Sequence, residues 1–195
     1  MRNRFDRQLS ELNNNLTEMG ALCENAIYLA VRAFIEGELE FAKKSVEVDS
    51  EIDEKEKEIE QQCLRLLLQQ QPVARDLRII SSALKMITDI ERIGDQASDI
   101  AELAQYTVGT YSMISPHIKK MAEESVKMVK DSIDSFVKRD QKLAESVIAY
   151  DDIVDSLFYT VKCDIIELLK SENTNGEAII DVLMIAKYLE RIADH

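Results

Sequence analysis

A short phrase occurs twice in this chain, and its recurrence limits the folds open to it. Residues Ile90 to Gln96 read IERIGDQ, and Leu189 to His195 read LERIADH. The copies are part of a longer register. At an offset of 102, Met19 falls on Met121, Phe34 on Phe136, Ala42 on Ala144, Asp49 on Asp151 and Asp53 on Asp155. At an offset of 99, Leu84 falls on Leu183, Glu91 on Glu190, Arg92 on Arg191, Ile93 on Ile192 and Asp95 on Asp194. A three-residue deletion before the last segment accounts for the change. Self-similarity over such a span means that one structural unit of about a hundred residues is used twice.

The unit is helical. Leu9, Leu12, Leu16, Met19, Cys23, Ala26, Ala30 and Ala33 recur at three-and-four spacing, the seam of a long packed helix that Gly37 closes. A second seam runs through Ala42, Ser45, Asp49, Ile52, Glu56, Ile59, Cys63 and Leu66 and ends at Gln71-Pro72, because a residue before proline is pushed out of the α region. The third helix runs from Pro72 to about Tyr106. Val108 to Ser115 reads as a linker, with Pro116 as the first residue of helix four. Helix four reaches Arg139. Helix five starts at Asp140 with the seam Ala144, Val147, Asp151, Val154, Phe158, Val161, Ile165 and Leu168. After the turn SENTNG, Thr174 and Glu177 have capping-box spacing for helix six. The expected fold is all-α: two tandem pseudo-symmetric three-helix bundles, residues 1–108 and 109–195.

The net charge of −13 argues against nucleic acid, which needs a basic footprint, and against unaided binding to an anionic membrane. No apolar run reaches the length of a membrane span, and MRNRFDRQLSELN has no signal-peptide core, so the expected location is cytoplasmic. Cys23, Cys63 and Cys163 lack CxxC spacing and stand among apolar periodic residues, which reads as packed thiols. There is no nucleophile–base pair, no phosphate-cradling glycine loop and no nucleotide fingerprint, so no enzyme is expected.

The acidic residues carry the chemistry. Glu91, Asp95 and Asp99 lie four apart on one helix face, and Glu91 stands in an apolar stripe between Ile87 and Gly94. A carboxylate there needs a partner. In an antiparallel bundle, Asp49 and Asp53 on the second helix face Glu91 and Asp95 on the third at roughly equal height. Asp151 and Asp155 stand likewise to Glu190 and Asp194. Four carboxylates converging without a cation raise one another's pKa and cost stability. A metal removes the conflict, and all-oxygen ligation favours magnesium, manganese, calcium or iron. The Glu-x-x-His pattern of ferritin-like bundles is absent, since Gly94 and Ala193 stand where histidine would be. Two other readings stand beside the metal: solvated helix faces, and an ion-pair network with Lys85, Arg92 and Arg191. His117 reads as a polar residue of helix four's first turn, and His195 as either a ligand or a frayed end.

QPVARDLR at Gln71 to Arg78, ERIGD at Glu91 to Asp95 and YLERIADH at Tyr188 to His195 together resemble the PhoU family across both halves of the chain. The resemblance implies two similar three-helix bundles with (Glu/Asp)xxxAsp motifs that bind multinuclear clusters of iron or another divalent cation, with manganese, magnesium and zinc as further candidates. Here the motifs are Asp49/Asp53, Glu91/Asp95, Asp151/Asp155 and Glu190/Asp194, and Asp99 extends the second by one turn. The resemblance further implies a homodimeric regulator that links the phosphate ABC importer's ATPase to a sensor histidine kinase and represses the phosphate-starvation response. Such a protein reaches the membrane only through its partners. The alternatives are an accessory module of a different phosphate transporter and a carboxylate-metal enzyme. The family's sixth helix continues past the position of His195, where a counterpart of Asp99 would stand, so the first site is expected to hold metal more firmly.

Overall fold

A computed structural model describes residues 2–70, 73–107, 114–170 and 175–195. It contains α1 (Arg2–Glu36), α2 (Leu39–Gln70), α3 (Ala74–Ala104), α4 (Ser115–Lys138), α5 (Gln141–Leu169) and α6 (Gly176–Asp194), with no strand among the described residues. The all-helical expectation is borne out. The break at Gln71-Pro72, most of the Val108 to Ser115 linker, and residues 171–174 of the last turn lie outside the described residues.

Helix ends follow from local chemistry. Gly37 has φ 72°, and its N–H donates to the Ala33 carbonyl at 2.9 Å. Glycine adopts that left-handed conformation without a Cβ penalty. Arg139 ends α4 with φ 56°, and the next residue's N–H donates to the Ser135 carbonyl at 2.8 Å. Asp140 then caps α5 by accepting from the Leu143 N–H at 3.1 Å. Two expectations shift by one residue. Ser115, not Pro116, is the first residue of α4, which still leaves proline in the first turn where its missing N–H costs nothing. Asn175, not Thr174, caps α6: its amide oxygen accepts from the Glu177 N–H at 3.2 Å.

In α1, every seam residue from Leu12 to Ala33 is buried. Helices α1, α2 and α3 all pack on one another, as do α4, α5 and α6, while α1 meets α4 and α3 meets α6. The buried apolar side chains form one connected cluster through all six helices. On α5 only Val154, Val161 and Ile165 are fully buried. Cys163 corrects an expectation: it is exposed, unlike Cys23 and Cys63. It stands two residues from both Val161 and Ile165, so about 200° of helical rotation turns it to the opposite face.

The repeat is visible in hydrogen bonds as well as in sequence. The Cys23 thiol on α1 donates to the Ile90 carbonyl of α3 at 3.3 Å. The Ser125 hydroxyl on α4 donates to the Leu189 carbonyl of α6 at 3.1 Å. Cys23 and Ser125 correspond at the offset of 102, and Ile90 and Leu189 at the offset of 99. In each unit, the first helix therefore fastens the third at the residue before the repeated glutamate.

Gly20 sets how closely α1 and α4 approach. A Cβ there would come within 2.2 Å of the Ile133 Cδ1, which is itself buried. Gly20→Ala is expected to cost about 1–3 kcal/mol through overpacking. Gly176→Ala, where nothing lies within 4 Å, is expected to stabilise by up to about 1 kcal/mol. Urea unfolding of the two variants checks the contrast; equal effects would count against the close packing at Gly20.

Candidate functional site

Helices α2 and α3 approach closely at Gly94. A Cβ at that position would stand 2.8 Å from the Asp49 Oδ1 and 2.9 Å from the Ile52 Cδ1. This proximity, given by a residue with no side chain, sets the Asp49 carboxylate against α3. Its Oδ1 is buried and has no hydrogen-bond partner. Burial, followed by the charges of Asp95, Asp53 and Asp99, pushes Asp49 up to about 6. The Ser98 hydroxyl on α3 acts on the same carboxylate in the opposite sense and is the smallest of these influences.

The neighbours respond in the same direction. Glu91 is raised by burial and then by Asp95, Glu56, Asp53 and Asp49. Asp95 is raised by burial, Asp53 and Asp99. Asp49, Asp53, Glu91 and Asp95 therefore share one electrostatic neighbourhood across the α2–α3 contact. Among the described residues, no Lys or Arg nitrogen lies within 4.0 Å of any of them. Arg92 turns away to Asp89 at 3.6 Å, so the ion-pair reading finds no partner at this face.

Asp99 differs from the other four. Burial raises it, but a hydrogen bond from Tyr188 and the charge of Arg191 oppose the rise. Both opposing groups belong to α6. The residue that extends the Glu91/Asp95 motif thus also feels α6, and the repeat's arginine acts on it.

The second face gathers Asp151, Asp155, Glu190 and Asp194. Asp151 is raised by burial, Asp155, Asp194, Asp152 and Glu190. Here a cation is present: the Lys187 ammonium engages Glu190. Asp155 and Asp194 are exposed, as is His195 at the end of α6. As the side chains stand, no three His, Cys, Asp or Glu among the described residues group closely enough to hold a metal ion.

The sequence reading passed over four participants. Glu56 accepts from the Thr88 hydroxyl at 3.4 Å and adds charge opposite Glu91. Its signal was its seam position seven residues after Asp49. Ser98 and Tyr188 carried no signal, because each matters through a partner distant in sequence. His117 is more than a polar residue of the first turn: its Nδ1 meets the Asp164 Oδ2 at 2.6 Å, which joins α4 to α5.

Fold and site together define a class: an all-helical protein of two like three-helix units, each presenting a face of paired carboxylates from its second and third helices. The PhoU domain model matches residues 16–104 and 118–195. The phosphate-specific transport system accessory protein PhoU homolog of Clostridium acetobutylicum is 35% identical over 192 residues, covering 97% of this chain and 88% of that protein. The homolog of the same description from Pseudomonas aeruginosa is 32% identical, covering 98% and 80%. A crystal structure of PhoU from Pseudomonas aeruginosa superposes with a TM-score of 0.91 at 32% identity, covering 98% of this chain and 92% of that one. The phosphate transport system regulatory protein PhoU from Streptococcus pneumoniae gives a TM-score of 0.87 at 27% identity, covering 97% and 90%. The chain belongs to the PhoU family.

Because Asp49 is raised, the folded protein holds its proton more tightly than the unfolded chain does. The stability gained in this way is complete below the unfolded value of 3.8 and is lost as pH rises through about 6. Asp49→Asn keeps the shape and cannot ionise. In chelator-treated protein it is expected to stabilise at about pH 8 by about 1–2 kcal/mol, a figure reduced for partial solvent screening, and to match the parent near pH 4. Urea titrations at both pH values check this, and a variant less stable at the higher pH would contradict it.

Proposed function

We propose that this chain is a metal-binding regulator of phosphate uptake. The metal part rests on one observation: a buried Asp49 oxygen without a partner, set among Asp53, Glu91 and Asp95 with no lysine or arginine nitrogen within 4.0 Å among the described residues. A divalent cation would relieve the repulsion that raises Asp49, Glu91 and Asp95. An all-oxygen donor set suits iron, manganese or magnesium and admits zinc. Asp49, Asp53, Glu91 and Asp95 would form the first site with Asp99 at its margin, and Asp151, Asp155, Glu190 and Asp194 the second. On this reading each unit, 1–108 and 109–195, carries one site. Coordination would require side chains to turn inward, which the exposed Asp95, Asp155 and Asp194 are free to do.

The phosphate part is supported by the relatives, which are named as accessory and regulatory proteins of phosphate transport. From the resemblance follows the finer reading. The protein acts in the cytoplasm as a homodimer. It contacts the importer's ATPase and a sensor histidine kinase, and holds down the phosphate-starvation response when phosphate is plentiful. It catalyses no reaction and binds no nucleic acid.

The sites differ in a way that ranks them. A metal at the second must displace the Lys187 ammonium from Glu190, whereas among the described residues the first presents no cation within 4.0 Å to displace. Metal per chain, measured by mass spectrometry on protein purified without chelators, is expected to fall by more than about half in Glu91→Ala/Asp95→Ala and little in Glu190→Ala/Asp194→Ala. Equal losses would overturn the ranking, and no loss in either would overturn the metal reading. Deleting the gene is expected to leave a phosphate-starvation reporter switched on in phosphate-rich medium. An unchanged reporter would remove the signalling claim, and co-purification of another permease without kinase or ATPase would assign the chain to a different transporter.

A further inference from the structure

The chain carries 24 basic against 37 acidic residues, yet one groove has the opposite balance. It has a volume of about 960 Å³ and lies between the first half of α3 and the α4–α5 turn, with Asn13 of α1 at its edge. Arg75, Arg78 and Lys85 line it from α3, and Arg139 from the turn. Two acids also line it, and both are engaged: Asp89 pairs with Arg92 at 3.6 Å, and Asp140 accepts from the Leu143 N–H at 3.1 Å. The four cations are exposed, and among the described residues none has a carboxylate within 4.0 Å. In a protein this acidic, four unpaired cations on one concave surface stand out against the background charge.

The spacing says what kind of anion fits. Arg78 lies three residues after Arg75 and Lys85 seven after Arg78, so all three share one helix face. From first to last they span about 15 Å at the rise of an α-helix. A single phosphate or carboxylate cannot meet such a row. Between the cations, the half-buried Ile79, Met86 and Phe136 present an apolar floor. Small-molecule sites enclose most of their ligand, whereas this groove is open along its cationic edge. An elongated partner with apolar side chains on one face and carboxylates beside them matches both features.

We propose that this groove docks an acidic, amphipathic segment of another protein. The segment's apolar side chains settle on Ile79, Met86 and Phe136, and its carboxylates meet Arg75, Arg78, Lys85 and Arg139. Outside the groove, the net negative charge repels the same partner, so the field orients the encounter as well as holding the product. A second copy of this chain is a poorer occupant. Its acidic helix α2 and this groove are different surfaces, so a closed dimer would need both contacts to form at once across one two-fold axis, and otherwise the contact makes a ring or a filament. The docking surface goes beyond the metal and phosphate readings and contains none of the carboxylates assigned to metal, so its test is independent of theirs.

The test is fluorescence anisotropy with a labelled peptide of about 16 residues, long enough to span the cationic row as a helix, built from Glu-Glu-Leu-Leu repeats. Binding is expected to weaken as salt rises from about 50 to about 300 mM. Arg75→Glu/Arg78→Glu is expected to weaken it by about tenfold or more, and Lys43→Glu/Lys162→Glu, exposed cations outside the groove, by less than about twofold. A Glu-Glu-Ser-Ser peptide of equal length is expected to bind at least about fivefold more weakly. Circular dichroism verifies the fold of each variant, with Arg75→Gln/Arg78→Gln as the substitute if charge reversal unfolds the chain. The proposal is overturned if the Glu-Glu-Leu-Leu peptide does not bind, or if the groove variants bind it as tightly as the parent. It is also overturned if the serine peptide or inorganic tripolyphosphate binds as tightly, which would make this a site for simple anions. Sedimentation of the parent as a larger species that Arg75→Glu/Arg78→Glu breaks apart would give the groove to a second copy instead.

Discussion

The close approach of α2 to α3 at Gly94 is the constraint on which the carboxylate face depends. A methyl group at that position would stand 2.8 Å from the Asp49 oxygen. Because a hydrogen stands there, the helices draw near enough to bury one carboxylate oxygen without a partner and to place acids from both helices within each other's field. A low local dielectric makes such an orphaned oxygen costly. The buried Ile52 side chain of α2 also packs against Gly94, and α1 is fastened to α3 nearby through Cys23. Ala193 corresponds to Gly94 in the second unit, so that face carries a methyl where the first carries a hydrogen.

The two units are not independent at their sites. Helices α3 and α6, which bear the repeated phrase, pack on each other. Tyr188 and Arg191 of the second unit act on Asp99 of the first. The arginine that the repeat shares between its copies therefore has a use in one copy that depends on the other. The first face and α6 thus feel each other's charge through Asp99, Tyr188 and Arg191.

How far the sequence revealed this arrangement can be judged from particular residues. The α1 seam is buried from Leu12 to Ala33, because regular spacing leaves only one face that water can be excluded from. Gly37 and Arg139 end their helices where expected, since backbone conformation at a terminus is a local property. The paired acids were legible for the same reason: residues four apart share a helix face whatever packs beside it. What packs beside it was not legible. Cys163 lies among apolar residues in sequence but on the outer face in space, because periodicity counts turns and says little about a helix that buries only three side chains. Tyr188 meeting Asp99, and His117 meeting Asp164, depend on rotations of whole helices about their axes. The basic groove drew residues from α1, α3, α4 and α5, so no single stretch announced it.

The Cys23 thiol has a consequence in time as well as in space. Its proton rests on the Ile90 carbonyl, and burial, with the charge of Asp49, pushes its pKa far above the ordinary range. A thiol-specific reagent needs the thiolate, so Cys23 stays silent for as long as α1 lies on α3. Burial likewise pushes Cys63 up to about 11, while Cys163 faces solvent. The molecule thus carries its own clock. Cys163 marks the start, and with enough reagent for alkylation to outpace reclosing, the delay before Cys23 reacts reads the interval between successive partings of the first bundle.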